Sequence, residues 1–149
     1  MTHVIIFNLI MIAVCLYALA AGGGPERATA LTFIAAASCS YIALSSKILH
    51  FEPNLVVIDL VTLSVLISIA LFANRFWPMY VAALQLITLA VHGVKVYDPT
   101  LATWMWMATA GKLAYPTLVL LVVGVVRHRA RLTRFGFDRS WSVGSAAAR

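Results

Sequence analysis

The chain has 149 residues, of which 62% are hydrophobic and only 11% charged, with a formal net charge of +6. A soluble domain carries about a quarter charged residues and leaves much of its surface in water at this size, so a water-soluble globule is excluded and a bilayer is the fitting solvent. Nucleic acid is excluded as the reason for the positive balance: five of the eleven Lys and Arg residues fall between Arg127 and Arg139, directly after the last apolar run, as in a cytoplasmic tail.

The first apolar run, Val4 to Ala21, is about long enough to cross the hydrocarbon core. Ala18-Leu19-Ala20 resembles a signal-peptidase site, but Met1-Thr2-His3 lacks the positive residues of a signal peptide, so the run is expected to stay as a helix. Gly22-Gly23-Gly24 makes a tight connection, after which Pro25 and Glu26 suit the first turn of a second helix. That helix covers Ala28 to Leu49 and is rich in alanine and serine, which lets helix backbones approach closely in lipid. Ser45-Ser46-Lys47, His50 and Glu52 mark its exit.

A third run extends from Asn54 to Ala73 and contains Asp59. Phe76 and Trp77 stand where an interfacial aromatic belt is expected, as do Tyr80, Trp104 and Trp106. Pro78 opens a fourth helix, and Asp98-Pro99 stops it. The fifth run spans about Trp104 to Val126, holds Lys112, and is expected to kink at Tyr115-Pro116. Cys15 and Cys39 lie in apolar runs without paired spacing and read as buried, reduced thiols, not as a disulfide or metal site.

The fold expected is therefore all-α, a polytopic bundle of five transmembrane helices over residues 1–126, followed by a basic, partly disordered cytoplasmic tail over 127–149. With the tail inside, the N-terminus is periplasmic. Arg27 and Arg75 then lie on the cytoplasmic side and Lys47 and Lys95 outside, the expected asymmetry of arginines.

This topology gives the intramembrane polar groups a meaning. Gln85, Thr88, His92 and Lys95 recur at i, i+3, i+7 and i+10, one face of the fourth helix. Asn8, Asp59, His92 and Lys112 fall at comparable depth in the outer half, and Lys95 lies near the outer interface. The candidate ligand or proton site is Asp59, Gln85, His92, Lys95, Lys112, Tyr115 and Asn8. An isolated charge at the bilayer centre costs about 2.5–3.5 kcal/mol on insertion scales, so these groups call for partners. Two readings stay open. Asp59 and Lys112 form a structural salt bridge completed by His92 and Tyr115, or Asp59 and His92 exchange protons or hold a ligand.

Phosphate-binding loops, zinc-protease, serine-hydrolase and paired-cysteine motifs are absent, so no catalytic or metal residue is assigned and no cofactor is expected. His92 lacks an evident second axial ligand for haem. Arg127-His128-Arg129-Ala130-Arg131 reads as a topology determinant that also favours anionic lipid.

The segments Gly-Gly-Gly-Pro-Glu-Arg, Arg75-Phe76-Trp77-Pro78-Met79-Tyr80-Val81-Ala82-Ala83-Leu84-Gln85, His92, Lys95, Asp98-Pro99 and Tyr115-Pro116 resemble small uncharacterised multi-pass membrane proteins of alphaproteobacterial genomes. The resemblance spans most of residues 1–130 and implies a bacterial inner membrane, but no activity. The first function expected is an accessory or interaction protein with a membrane-protein partner or a second copy of itself. The alternative is a proton-coupled small-solute transporter or channel using Asp59 and His92. A membrane redox or haem protein comes last.

Overall fold

The computed structural model describes residues 2–45, 51–97, 100, 103–138 and 140–142, with the side chains of 2–4, 44–45, 51–53, 95–96 and 103–110 left aside. Five helices follow in order: α1 (Thr2–Ala21), α2 (Gly24–Ser45), α3 (Phe51–Phe72), α4 (Trp77–Tyr97) and α5 (Thr103–Phe135). Consecutive helices pack on one another, and α5 closes the bundle against α1 while also touching α2. Among the described residues there is no strand, only an isolated bridge between Ala73 and Trp141. The Lys47 and His50 connection and the Asp98-Pro99 turn lie outside the described residues.

Large apolar side chains point outward along the helices, with Leu9 62% exposed and Leu71 72% exposed. Such a belt is costly in water and costs nothing against hydrocarbon. Asn54–Phe72, Trp77–Val94 and Gly111–Phe135 are each long and apolar enough to cross a membrane, and Ile5–Ala21 is a shorter apolar helix. The chain is thus an all-helical protein built for association with a membrane.

The buried core gathers in one half of the bundle. Cys15 and Ala18 of α1, Ala30 of α2, Leu66 and Ile69 of α3, Trp77 and Val81 of α4 and Leu121 and Val125 of α5 form a single cluster. All of them lie toward the end where the α1–α2 and α3–α4 connections meet the far end of α5. Trp77 belongs to this core, at 7% exposed, whereas its neighbour Phe76 is 80% exposed. Trp77, expected at the interface, is therefore a core residue, whereas Phe76 and Tyr80 are exposed. Trp77 turns inward because Gly124 leaves room for it: a Cβ there would stand 2.8 Å from the indole. Cys39, expected to be buried, is exposed on the outer side of α2, while Cys15 is buried, and both are free thiols.

α5 does not stop at Val126. It runs to Phe135 with Pro116 inside it, and Gly136 ends it at φ 74°, the left-handed conformation that suits glycine after a helix. The chain then doubles back as a strap. The Asn74 amide donates to the Ser140 carbonyl at 3.3 Å, and the Ser142 amide and hydroxyl both donate to the Phe72 carbonyl at 2.9 Å. Residues 140–142 are thus held against the end of α3, while residue 139 and the Ser-Gly-Ala-rich end expected to be disordered, 143–149, lie outside the described residues.

Candidate functional site

Helical periodicity puts Gln85 and His92 on one face of α4, and that face meets Asp59 of α3. The Gln85 amide donates to Asp59 Oδ1 at 2.9 Å. The other carboxylate oxygen, Oδ2, is in direct contact with His92 Nδ1. His92 is buried and Asp59 nearly so, at 8% and, for the side chain, 18% exposed.

Beside this pair lies a cavity of about 180 Å³, walled by side chains of all five helices. Asp59, Gln85, Thr88, Ser40 and Thr117 supply its polar groups, and Phe7, Met11, Phe33 and Leu118 are among its apolar ones. Its volume is below the 300–1,000 Å³ typical of sites for drug-sized ligands, and polar walls of this kind suit water or a small solute. His92 grips Asp59 without lining the cavity itself.

The other expected members of the site do not join it. Leu113, Ala114, Thr117 and Leu118 form the inward face of α5, and at helical spacing Lys112 and Tyr115 project from the other side. Lys112 is accordingly exposed and, among the described residues, makes no ion pair with Asp59. Tyr115 is 41% exposed and meets Phe7 edge-on, with ring centroids 5.2 Å apart. Asn8 is exposed on α1, one position beyond the cavity-lining Phe7. The side chain of Lys95 lies outside the described residues.

A second polar centre, missed by sequence reasoning, sits at the opposite, well-packed end. Glu26 at the start of α2 is fully buried and forms an ion pair with Arg75, Nη1 to Oε1 at 3.1 Å. The Trp77 indole N–H donates to the same oxygen at 3.3 Å. Arg75 Nη2 also contacts the Asp138 carboxylate of the strap, and His128 Nδ1 of α5 lies 2.6 Å from the same carboxylate oxygen. Burial works to raise the Asp138 carboxyl, but hydrogen bonds from His128 and Arg75 and the positive charges of Arg75 and Arg131 outweigh it and hold it below its ordinary value.

The triple glycine makes this approach feasible. A Cβ at Gly23 would stand 2.9 Å from the His128 ring, and one at Gly24 would stand 2.3 Å from the Trp141 indole. One signal in the sequence pointed here. Glu26 and Asp138 are the two acidic residues placed on the arginine-rich side, and acids among arginines at a membrane surface call for pairing.

Compared with protein-family models, with curated proteins and with solved structures, the chain matches none. The site therefore has to be read from its own chemistry. Among the described residues no three His, Cys, Asp or Glu side chains are grouped to hold a metal ion. What the Asp59–Gln85–His92 centre offers is a carboxylate and an imidazole in contact, in apolar surroundings, at the wall of a small cavity.

Proposed function

We propose that the chain is a five-span protein of a bacterial inner membrane, N-terminus periplasmic and tail cytoplasmic, that moves a small solute or ion in exchange with protons held by Asp59 and His92. The observation that carries this reading is that Asp59 lines the cavity while paired with His92. In an apolar medium an ionised carboxylate beside a neutral imidazole leaves a net charge, which is costly, whereas one added proton makes the pair neutral. Occupancy of the cavity and protonation of the pair are then linked, which is what coupled transport requires. The five-span topology is supported by the positions of the arginines, with three of the helices long and apolar enough to cross, and the inner membrane by the resemblance noted above.

The test is uptake into proteoliposomes of a panel of small labelled acids, amines and neutral solutes, driven by an imposed pH gradient. Asp59→Asn and His92→Ala should abolish the pH-driven component while the protein still folds and elutes as the wild type does. Transport unchanged in both variants contradicts the reading.

A second reading, an accessory protein that docks on a membrane partner or a second copy, is favoured by one feature. A groove of about 460 Å³ between α2 and α3 is lined by Ala35, Ala36 and Cys39 against Val57, Val61 and Val65. Small residues facing lipid let another helix approach. Here Asp59→Asn would alter stability or assembly with no change in flux, and oxidative cross-linking through exposed Cys39 would report a second copy.

A further inference from the structure

α5 has 33 residues and is therefore about 50 Å long, against about 30 Å for the hydrocarbon core. Its last turns extend past the apolar layer, and they carry Arg127, Arg131 and Arg134 at i, i+4 and i+7. With Ala130 and Phe135 these arginines border a hollow of about 260 Å³. Among the described residues, the carboxylate that pairs with these arginines is Asp138, 3.9 Å from Arg131, and Asp138 is already engaged by Arg75 and His128. The hollow thus holds three guanidinium groups against one carboxylate that is committed elsewhere. On the membrane side of the arginines, Val123 and Val119, four and eight residues before Arg127, are exposed along the adjoining stripe of the helix. A cationic hollow and an apolar track share one side of one helix, in the order that a lipid headgroup and its chain would need.

We propose that this face of α5 binds an anionic phospholipid, its phosphate on Arg127, Arg131 and Arg134 and an acyl chain along Val119 and Val123. The inference rests on the membrane-spanning reading of α5. Guanidinium groups bind phosphate oxygens in pairs, which a lysine ammonium does not. Ala130 keeps the floor of the hollow low, so that a headgroup can reach the helix surface. A free phosphate would use the arginines and leave the valine track without a role, and that favours the lipid.

The experiment uses the full chain in phosphatidylcholine vesicles containing either spin-labelled phosphatidylglycerol or spin-labelled phosphatidylcholine, and reads the motionally restricted fraction of each label. The wild type should hold the anionic label over the zwitterionic one by roughly fivefold for each arginine engaged, and the preference should fall with added salt. R127Q/R131Q/R134Q should remove it, while R129Q, on the other side of the helix, should keep it. Because losing three positive charges can disturb insertion, R127K/R131K/R134K holds the charge and should still lose several-fold in preference. Equal retention of both labels by the wild type overturns the proposal, as does an equal loss in R129Q and the triple glutamine variant. Displacement of the anionic label by millimolar inorganic phosphate overturns the lipid assignment in favour of a free anion. Restriction of neither label would instead defeat the membrane-spanning reading itself.

Discussion

Glu26 and Arg75, which come from the first turn of α2 and from the α3–α4 connection, are joined by an ion pair of 3.1 Å with neither side chain more than 1% exposed. This pair and its neighbours Trp77, His128 and Asp138 hold three separate stretches of chain together at one end of the bundle. Removing one partner of a buried pair leaves the other charge uncompensated, at a cost of about 3–5 kcal/mol. Arg75→Met should therefore lower the midpoint of thermal unfolding in detergent far more than Arg129→Met, whose side chain is exposed. Equal midpoints for the two variants would show that the clasp contributes nothing.

The strap should be insensitive to mild acid. The Asp138 carboxyl is held below its ordinary value of 3.8 in the folded chain. A lowered folded value means that its contribution is fully present above pH 3.8 and is lost only as pH falls through the lower folded value. Hydrogen-exchange protection at the Asn74 and Ser142 amides, which bond to Ser140 and Phe72, should stay constant down to that range and then disappear. Loss at a higher pH would mean that another group holds the strap.

Two glycines on neighbouring helices should respond in opposite ways to alanine. At Gly124 the new Cβ would stand 2.8 Å from the buried Trp77 ring, and the surrounding core leaves that ring nowhere to go. Overpacking of this kind costs about 1–3 kcal/mol. Gly93 on α4 has nothing within 4 Å of such a Cβ, so Gly93→Ala should be neutral or stabilise by about 0.5–1 kcal/mol. Thermal unfolding of the two variants measures both.

Local rules made the helices and half of the candidate site legible in the sequence. Apolar length located five helices, and the i, i+7 spacing of Gln85 and His92 placed both on one face of α4 before any packing was known. Asp59 was placed at a matching depth by counting along α3. Lys112 was not legible in this way. Depth follows from counting residues, but the direction of a side chain depends on how far α5 is rotated against its neighbours, which packing decides. The Glu26–Arg75–His128–Asp138 clasp was hidden for a related reason. Its members come from the first turn of α2, the α3–α4 connection and both sides of the end of α5, and no local period links them. Phe76 and Trp77 differ in burial although adjacent, and the difference comes from Gly124 on another helix.

Gln85 supports Asp59 through a 2.9 Å hydrogen bond to one carboxylate oxygen. Gln85→Leu keeps the volume but removes the donor, leaving that oxygen exposed to the cavity. Uptake driven by an imposed pH gradient should fall in this variant and shift in its pH dependence, with the thermal midpoint little changed. A lower midpoint with an unaltered pH profile would assign Gln85 a structural part only.

The proposed coupling requires Asp59 and His92 together to take up and release a proton in the membrane. Infrared difference spectra of the full chain in a lipid film, recorded while the pH of the overlying buffer is stepped, test it most directly. The wild type should show a carboxylic-acid band that is absent in Asp59→Asn and altered in His92→Ala. Identical difference spectra for the wild type and Asp59→Asn would show that Asp59 exchanges no proton with solvent, and would contradict it.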